Sequence, residues 1–436
     1  MSERNERTKW FCHDRFGMFL HWGLYAIPGR GEWYRSEARV PKEDYEKYFE
    51  LFDPYAYDPV KWAKEAKAAG MQYMVLTAKH HDGFCLFDTK YTDFNAKKAC
   101  GRDLVAEFVE AVGGEGLKVG LYFSLIDWRH PEYPHYGDLY HPMRDNEAFK
   151  DAVHNFDNYL DFMHGQIEEL VGNYGKIDIL WFDYAYGDLR GEAWRGTKLV
   201  EMVRRYQPDV IMDNRLETSG EGFGSLVTEN PSVFSGDFVS PEQIIPPAGI
   251  RNVKGEPVPW ELCTTMNNNW GYAPVDRNYK SASLLIRKLV ECVSKGGNML
   301  LNVGPNATGA FPQPALEILN GIGAWMQKNG ESIYGCGYAD IEKPEWGRYT
   351  RSGNIIYAHV FEAPIGPLAL TGIDPAAVKS ITLLHDGSEL YTGDSFVTMA
   401  YEGILFVSFG EIPFYTYPLP DLTDTVIKIV LKENAK

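Results

Sequence analysis

The sequence lacks any hydrophobic run of membrane-spanning length and any pattern that would tie its cysteines together. Its six cysteines are scattered and none forms a C-x-x-C pair, so neither a disulfide framework nor a zinc site is indicated. Basic residues are scarce, with 43 Lys and Arg against 60 Asp and Glu and a net charge of −17. Nucleic acids and anionic membranes bind basic surfaces. The sequence therefore predicts no partner of either kind.

Several catalytic and targeting signatures are also missing. No G-x-G-x-x-G follows the first predicted strand, which counts against a dinucleotide-binding fold, and the chain has no G-x-S-x-G nucleophile motif. The first ten residues, MSERNERTKW, lack the apolar segment of a secretory signal. We expect a cytoplasmic enzyme that works without a cofactor.

The first three quarters of the chain alternate short apolar runs with amphipathic stretches. This alternation predicts a parallel α/β fold. About eight strands over roughly 330 residues favour a TIM-like barrel of the (β/α)8 type over a doubly wound sheet. The predicted strands are residues 16–21, 73–78, 119–124, 177–183, 210–214, 260–266 and 299–303, the predicted helices include 59–69, 104–115, 147–174, 198–206, 281–294 and 315–329, and residues 217–243 read as a long glycine-rich loop.

Helical periodicity nearly stops after Tyr334, and the rest of the chain reads as short strands joined by turns. The predicted strands are residues 354–361, 378–384, 396–399, 404–409 and 425–431. We expect a C-terminal antiparallel β-sandwich that packs against the barrel. The predicted domains are residues 1–335 for the barrel and 336–436 for the sandwich.

Polar side chains recur where the predicted barrel strands end. In barrels of this type the active site lies at the carboxyl ends of the strands, so we expect these side chains to converge in one pocket. Charged and amide groups suit the hydroxyls of a sugar, and nearby aromatic rings suit its apolar faces. The strand-end residues are His21, His80, His81, Asp82, Tyr122, Asp127, Asp183, Asp213, Asn214, Arg215, Glu261 and Asn302.

Hydrolysis of a glycoside needs two carboxyl groups, one as nucleophile or base and one as acid. Asp183 ends an otherwise apolar strand, where an acidic residue is unexpected unless it is paired or functional. It is the predicted nucleophile, and a helix cap or a salt-bridged strand end is the alternative reading. Glu242 and Glu261 are the candidate acids, and composition and spacing do not choose between them.

The sequence His80-His81-Asp82 raises the alternative of a metal site. Barrel metal hydrolases usually present an H-x-H pair on the first strand, whereas this chain has only His21 there. Adjacent side chains on an extended segment point to opposite sides, so we expect His80 and His81 to diverge. We therefore predict no catalytic metal.

The strand-end segments, taken together, resemble family 29 glycoside hydrolases, the α-L-fucosidases. The matches keep the family's order from about residue 10 to residue 336, and so cover the whole predicted barrel. They are FGMFLHWG at 16–23, GEWY at 31–34, AKHHDGF at 78–84, GLYFS at 120–124, LWFD at 180–183, WE at 260–261, WGY at 270–272, GNMLLNVGP at 297–305 and NGESIYG at 329–335. As a set they are highly specific.

The resemblance implies an exo-acting, retaining α-L-fucosidase that removes terminal α-L-fucose from fucosylated oligosaccharides or glycoconjugates by a two-carboxylate double displacement. Asp183 lies where the family has its nucleophile, and Trp270 resembles the aromatic residue near the C5 methyl of fucose. Tyr184 departs from the glycine that many members have after the nucleophile. The residues at hydroxyl-binding and pocket-lining positions are His21, Glu32, Trp33, His80, His81, Tyr122 and Arg215.

The acid/base position varies within this family, so the resemblance does not settle it directly. Glu242 is favoured because Ser240-Pro241-Glu242 resembles the segment that supplies the acid in many bacterial members, and because a loop carboxyl can approach the leaving group from outside. Glu261 stays the alternative acid/base, since a buried glutamate has the raised pKa that suits a general acid. A related glycosidase such as an α-galactosidase, an inactive sugar-binding protein and a homo-oligomer also stay open.

Overall fold

The computed structural model describes residues 3–393 and 395–432, and its first part is built on a parallel sheet. The strands are β1 (Phe16–Leu20), β2 (Tyr73–Lys79), β3 (Lys118–Ser124), β4 (Ile179–Asp183), β5 (Ile211–Met212), β6 (Glu261–Thr265) and β7 (Asn298–Val303). They pair in the order β5-β4-β3-β2-β1-β7-β6. Nearly all their side chains are buried, as expected of parallel strands that are covered on both faces.

An eighth strand position closes this sheet into a barrel. Residues 238–243 lie between the two edge strands and form parallel bridges to both sides, from Phe238 to Asp213 next to β5 and from Val239 to Trp260 next to β6. The ring of eight positions is therefore complete, and the predicted TIM-like barrel is confirmed.

The seven predicted barrel strands are all present, but the prediction that residues 217–243 form a loop throughout is wrong at its end. Pro241 lies in the closing segment and has no N–H to donate to a strand ladder, so the segment makes isolated bridges rather than a regular strand. Because of this interruption, the sequence did not reveal the strand position at residues 238–243, which is the sixth of the eight in chain order.

Helices connect most of the barrel strands and cover their outer face. They are α1 (Glu3–Arg7), α2 (Lys9–Asp14), α3 (Tyr34–Glu37), α4 (Lys42–Tyr45), α5 (Lys47–Glu50), α6 (Pro59–Ala68), α7 (Ala96–Cys100), α8 (Leu104–Gly114), α9 (Phe156–Asn173), α10 (Gly196–Tyr206), α11 (Ala282–Ser294) and α12 (Gln313–Asn329). Asp58, Asp103 and Ser281 begin α6, α8 and α11, because each side chain accepts a hydrogen bond from a first-turn amide. Short 3-10 helices lie at Leu24–Ala26, Glu147–Phe149, Gly191–Trp194, Gly224–Val227, Gly330–Ser332 and Pro375–Ala377.

The helix predicted at residues 147–174 begins only at Phe156. The preceding residues are held by the loop after β3 instead, since the His154 ring bonds the carbonyl of Pro131 at 2.9 Å and the Asn155 amide donates to Glu132 at 2.6 Å. Tertiary contacts therefore override the local helical pattern.

The inside of the barrel is a packed core rather than a channel. Helix α2 covers its amino-terminal end, where the carbonyl of Phe11 accepts a hydrogen bond from Asn298 at 2.8 Å. The interior cluster consists of Phe11, Phe19, Tyr73, Val75, Tyr122, Ile179, Trp181, Ile211, Phe238, Cys263 and Leu300. The space open to a ligand lies at the carboxyl-terminal end of the strands.

The C-terminal part is an antiparallel β-sandwich, as predicted. Its strands are β8 (Gly347–Ser352), β9 (Ile355–Val360), β10 (Leu368–Leu370), β11 (Val378–Leu383), β12 (Tyr391–Thr392), β13 (Leu405–Ser408) and β14 (Thr425–Leu431). One sheet has the order β11-β14-β9-β8 and the other β10-β13-β12, and apolar side chains of both sheets share one core. The predicted strand at 396–399 is wrong, because the amides of Thr398 and Met399 donate to the carbonyl of Ser395 in a turn.

Arg287 on α11 joins the barrel to the sandwich. Its guanidinium donates to the carbonyls of Thr423 at 2.8 Å, Leu422 at 2.9 Å and Phe361 at 3.1 Å. The domain boundary at residues 335 and 336 stays a prediction. Within the part of the chain that the structure describes, no helix combines the length and the apolar character needed to cross a bilayer.

Candidate active site

A cavity of about 770 Å³ opens at the carboxyl-terminal end of the barrel strands. It brings together every predicted catalytic and substrate-binding residue except the alternative acid Glu261. These are Asp183, Glu242, His21, Glu32, Trp33, His80, His81, Tyr122, Arg215 and Trp270. Their convergence is a finding of geometry, whereas their individual roles stay predictions.

Asp183 is the last residue of β4, and its side chain is 13% exposed. The Tyr122 hydroxyl donates to its Oδ2 at 2.8 Å, and Arg215 Nη1 donates to its Oδ1 at 3.0 Å. Burial raises the pKa of Asp183 above its ordinary value, while the charge of Arg215 and the Tyr122 hydrogen bond oppose that rise. Each oxygen has one donor, so the orientation of the carboxylate is fixed.

Arg215 follows β5 and bridges two carboxylates. Its Nη1 also donates to Glu242 Oε2 at 2.9 Å, so the nearest oxygens of Asp183 and Glu242 lie within about 6 Å of each other. Its Nε donates to the Ser240 hydroxyl at 3.0 Å and its Nη2 to the Ser240 carbonyl at 3.1 Å. Ser240 and Glu242 both belong to the closing segment, so barrel closure itself brings Glu242 to Arg215.

Glu242 lies on the open side of the cavity. Its side chain is 36% exposed, against 13% for Asp183 and 2% for Arg215. A carboxyl in this position is accessible to water at the mouth of the cavity. This is the placement that a general acid/base requires.

Glu261 is the first residue of β6, and it is fully buried and outside the cavity. Its Oε2 accepts a hydrogen bond from the Tyr73 hydroxyl, and burial raises its pKa to about 8. The raised pKa agrees with sequence reasoning, but the side chain reaches no space that a substrate can enter.

One wall of the cavity is held by a chain of hydrogen bonds from β1 to the loop after β6. The His21 ring bonds Asn302 at 2.7 Å, and the Asn302 amide donates to the carbonyl of Trp270 at 2.8 Å. Glu32 accepts from the amide of Gly271 at 2.7 Å. Burial lowers the pKa of His21 to about 3 and raises that of Glu32 to about 7, so the imidazole is neutral near pH 7.

His80 and His81 lie side by side, with ring centroids 4.0 Å apart, and both line the cavity. The prediction that their rings diverge is wrong, because β2 ends at Lys79 and the chain is no longer extended beyond it. Burial lowers the pKa of both rings, which are therefore neutral hydrogen-bonding groups. Among the residues described, no group of three or more His, Cys, Asp and Glu side chains is arranged to hold a metal ion.

Asp183 and Glu242 are each followed by a non-glycine residue with left-handed backbone. Tyr184 has φ 83° and Gln243 has φ 57°. Such a conformation costs of order 1 kcal/mol or more for a residue with a side chain. The ring of Tyr184 is held in the cavity wall by Trp33 and His81, with centroids 5.3 and 4.7 Å away. The departure noted in the sequence thus places an aromatic ring where glycine would leave an opening.

Sequence reasoning missed several cavity residues. Trp181 precedes Asp183 by two positions on β4, so the period of two in a strand places both on the same face, and this signal was available. Tyr140, Tyr186 and Arg190 reach the cavity from loops. Loop paths carry no such periodicity.

The site has the features of a glycoside hydrolase that retains anomeric configuration. Two carboxylates approach within about 6 Å, closer than the ~6.5–9.5 Å found in inverting enzymes. Aromatic rings and neutral polar groups complete a pocket suited to one sugar.

Comparison with known proteins identifies the family. A family model described as alpha-L-fucosidase matches residues 1–331. The structure of alpha-L-fucosidase isoenzyme 1 from Paenibacillus thiaminolyticus is 55% identical, with a TM-score of 0.95 over 99% of this chain and 100% of that one. The plasma alpha-L-fucosidase of Homo sapiens is 29% identical over 440 residues, 94% of this chain and 87% of that protein.

A third relative, an alpha-L-fucosidase of Bacteroides thetaiotaomicron, was trapped as a covalent intermediate with 2-fluoro-fucosyl fluoride. It is 30% identical, with a TM-score of 0.81 over 98% of this chain and 96% of that chain. The chain belongs to the α-L-fucosidase family, family 29 of the glycoside hydrolases.

Proposed function

We propose that the protein is an exo-acting, retaining α-L-fucosidase that removes terminal α-L-fucose from fucosylated glycans. The observation that carries the proposal is the pair of carboxylates on one guanidinium, Asp183 and Glu242 on Arg215 Nη1, in a pocket of family 29. Phe19 and Trp181 line the cavity and belong to the barrel core, so the pocket ends there and accepts a chain end.

In the first step an oxygen of Asp183 attacks C1 of fucose from the β face. The bond from C1 to the glycosidic oxygen breaks, its electron pair stays on that oxygen, and Glu242 supplies the proton. The product is a β-fucosyl ester of Asp183 and a free alcohol. Arg215 and Tyr122 hold the attacking carboxylate, so little reorganisation is needed.

In the second step Glu242 takes a proton from a water molecule that attacks C1. The ester bond breaks, Asp183 recovers its charge, and fucose leaves as the α anomer. The same glutamate thus works first as acid and then as base, which agrees with its partial exposure. The trapped covalent intermediate of the Bacteroides thetaiotaomicron relative supports this route.

The remaining cavity residues are proposed to select fucose. His21, His80, His81, Glu32 and Tyr122 offer hydrogen bonds to its hydroxyls, and Trp33 and Trp270 offer apolar contact. Recognition of the C5 methyl by Trp270 is worth only about 1–3 kcal/mol, since one small apolar group discriminates weakly.

An aryl α-L-fucoside and the matching aryl α-D-galactoside test the function. We expect fast release from the fucoside and little release from the galactoside, because fucose is 6-deoxy-L-galactose and the α-D-galactoside has the mirror-image ring configuration. A 2-fluoro-fucosyl fluoride should label the peptide that contains Asp183, and labelling of another peptide would contradict the assignment of the nucleophile. Binding of fucose without any turnover would support an inactive sugar-binding protein.

The choice of acid/base is tested by leaving-group dependence. Glu242→Ala should lower turnover of fucosides with poor leaving groups far more than of activated aryl fucosides, because only the former need protonation. Azide should rescue it and yield α-fucosyl azide from the covalent intermediate. The same pattern in Glu261→Ala, and not in Glu242→Ala, would reverse the assignment.

Location, assembly and domain limits stay predictions. Cytoplasmic location has no support in the comparisons, since the matched relatives include plasma and tissue enzymes. A homo-oligomer and the linkage preferred in the glycan need measurement by sedimentation and by hydrolysis of defined oligosaccharides.

A further inference from the structure

Trp181 supports both side chains that hold Asp183. The guanidinium carbon of Arg215 lies 4.6 Å from the centroid of the Trp181 ring. The ring of Tyr122 stacks on Trp181, with centroids 5.7 Å apart and an interplanar angle of 22°. Arg215 and Tyr122 are the two donors to Asp183, so a shift of the indole would displace both of them.

Glu261 is buried near Trp181 and, unlike Trp181, does not line the cavity. Its Oε2 shares a hydrogen bond with the Tyr73 hydroxyl, which also accepts from Asn298 at 3.3 Å. In the described part of the chain, Glu261 Oε1 and the indole nitrogen of Trp181 are both buried, and neither makes a hydrogen bond. A buried acceptor and a buried donor without partners are thus both present here, and the Trp181 N–H lowers the pKa of Glu261 against the larger effect of burial.

We propose that Glu261 is a positioning residue that anchors the indole of Trp181 and through it keeps Arg215 and Tyr122 aligned on Asp183. The inference rests on the proposed role of Asp183 as nucleophile. Glu261 itself touches neither the cavity nor any reacting atom.

The anchor works as a neutral carboxylic acid. No ion pair of Glu261 occurs among the residues described, and burial raises its pKa to about 8. The hydrogen bond with the Tyr73 hydroxyl uses Oε2, so Oε1 is the oxygen that would accept from the Trp181 N–H. A neutral group in this place does not compete with Asp183 and Glu242 for the charge of Arg215.

Three variants test the proposal on two fucosides, one with an activated aryl leaving group and one with a sugar leaving group. Glu261→Gln offers the same acceptor and donor as the neutral acid, so kcat should stay within about twofold. Glu261→Leu should lower kcat about ten- to hundredfold on both substrates by the same factor, with KM little changed, because misplacing a reacting group by about 1 Å costs on the order of 10².

Trp181→Phe keeps a ring and deletes the N–H, so it should give the same pattern as Glu261→Leu. The double variant Glu261→Leu/Trp181→Phe should have a kcat no lower than that of the less active single variant, because both changes remove the same contact between Glu261 and the indole N–H. If Glu261→Leu does not fold, Glu261→Met replaces it, because Met fills similar space without an oxygen that accepts a hydrogen bond: an equal loss on both substrates supports the proposal, and unchanged kcat overturns it.

Asp424→Asn in the sandwich is a matched control, because that side chain is also fully buried and bonds His359 at 2.7 Å. It should lower Tm and leave kcat unchanged, which separates lost stability from lost positioning. Loss of activity in Glu261→Gln chiefly on the sugar leaving group, with azide rescue, would make Glu261 the acid/base and overturn the proposal. Failure of the unaltered enzyme to hydrolyse either fucoside would refute the proposed function instead.

Discussion

Replacing Arg215 with lysine keeps a positive charge beside Asp183 but removes the bridge between the two carboxylates. The guanidinium donates from Nη1 to both Asp183 and Glu242 and from its other nitrogens to Ser240. An ammonium is a compact donor without that planar fork, so it cannot hold all three partners. A hydrogen bond to a charged group contributes about 1.5–3 kcal/mol. Loss of one such bond in the transition state lowers kcat about ten- to hundredfold.

The same substitution should change the pH dependence. Burial raises the pKa of Asp183, and the charge of Arg215 opposes this rise. The nucleophile must be ionised to attack, so a weaker cationic contact raises its pKa further. The acid limb of kcat/KM then moves to higher pH.

The assay is the pH profile of kcat/KM on 4-nitrophenyl α-L-fucoside. Arg195→Lys is the matched control, since Arg195 pairs with Asp157 and Asp161 at the surface and outside the cavity. The Arg195→Lys enzyme should have the same kcat and the same pH profile of kcat/KM as the unaltered enzyme. An Arg215→Lys enzyme with kcat within twofold and an unmoved acid limb would refute the bridging role.

Four further predictions follow from the site. Tyr122→Phe removes one donor to Asp183, so kcat should fall about tenfold or more and the acid limb should again move to higher pH; an unchanged profile would contradict that contact. Tyr184→Gly should be more stable than Tyr184→Ala by about 1 kcal/mol in thermal or urea unfolding, because only glycine adopts φ 83° without strain, and the reverse order would argue against strain. The pKa of Glu261 is near its ordinary value of 4.5 in the unfolded chain and about 8 in the folded chain, so the free energy of unfolding should fall as pH rises between these values. Glu261→Gln should make the free energy of unfolding, measured in urea titrations, less dependent on pH over this range. Activity should survive prolonged dialysis against EDTA, since paired carboxyls need no Lewis acid, whereas loss that a divalent cation restores would revive a metal site.

The architecture was predictable because it depends on local pattern. Buried strands alternating with amphipathic helices predicted the barrel, and the end of that alternation after Tyr334 predicted the sandwich. Six of the twelve polar strand-end residues line the cavity, because parallel strands present their carboxyl ends at the same edge. They are His21, His80, His81, Tyr122, Asp183 and Arg215. The prediction was wrong for the other six, which are buried and do not line the cavity: Asp82, Asp127, Asp213, Asn214, Glu261 and Asn302. Each of these inferences uses only the hydrophobic periodicity of a strand or helix and the residue types at its end.

Other features depend on which distant segments meet, and only the tertiary structure decided them. The closing segment at residues 238–243 is interrupted by Pro241, and its pairing with both sheet edges is a long-range event. The rings of His80 and His81 lie together because β2 ends at Lys79, so the backbone at the two histidines is not extended.

Glu242 and Glu261 illustrate the limit most clearly. Composition and spacing did not choose between them, and Glu242 was favoured only by the resemblance of Ser240-Pro241-Glu242 and by its predicted loop position. In the folded chain Glu261 is fully buried. Glu242 is partly exposed and shares Arg215 with Asp183 at the open side of the cavity. The residue types at strand ends were thus determined by the sequence alone. Exposure, charge partners and pKa were decided by tertiary packing, because desolvation and Coulomb energy depend on neighbours that are remote along the chain.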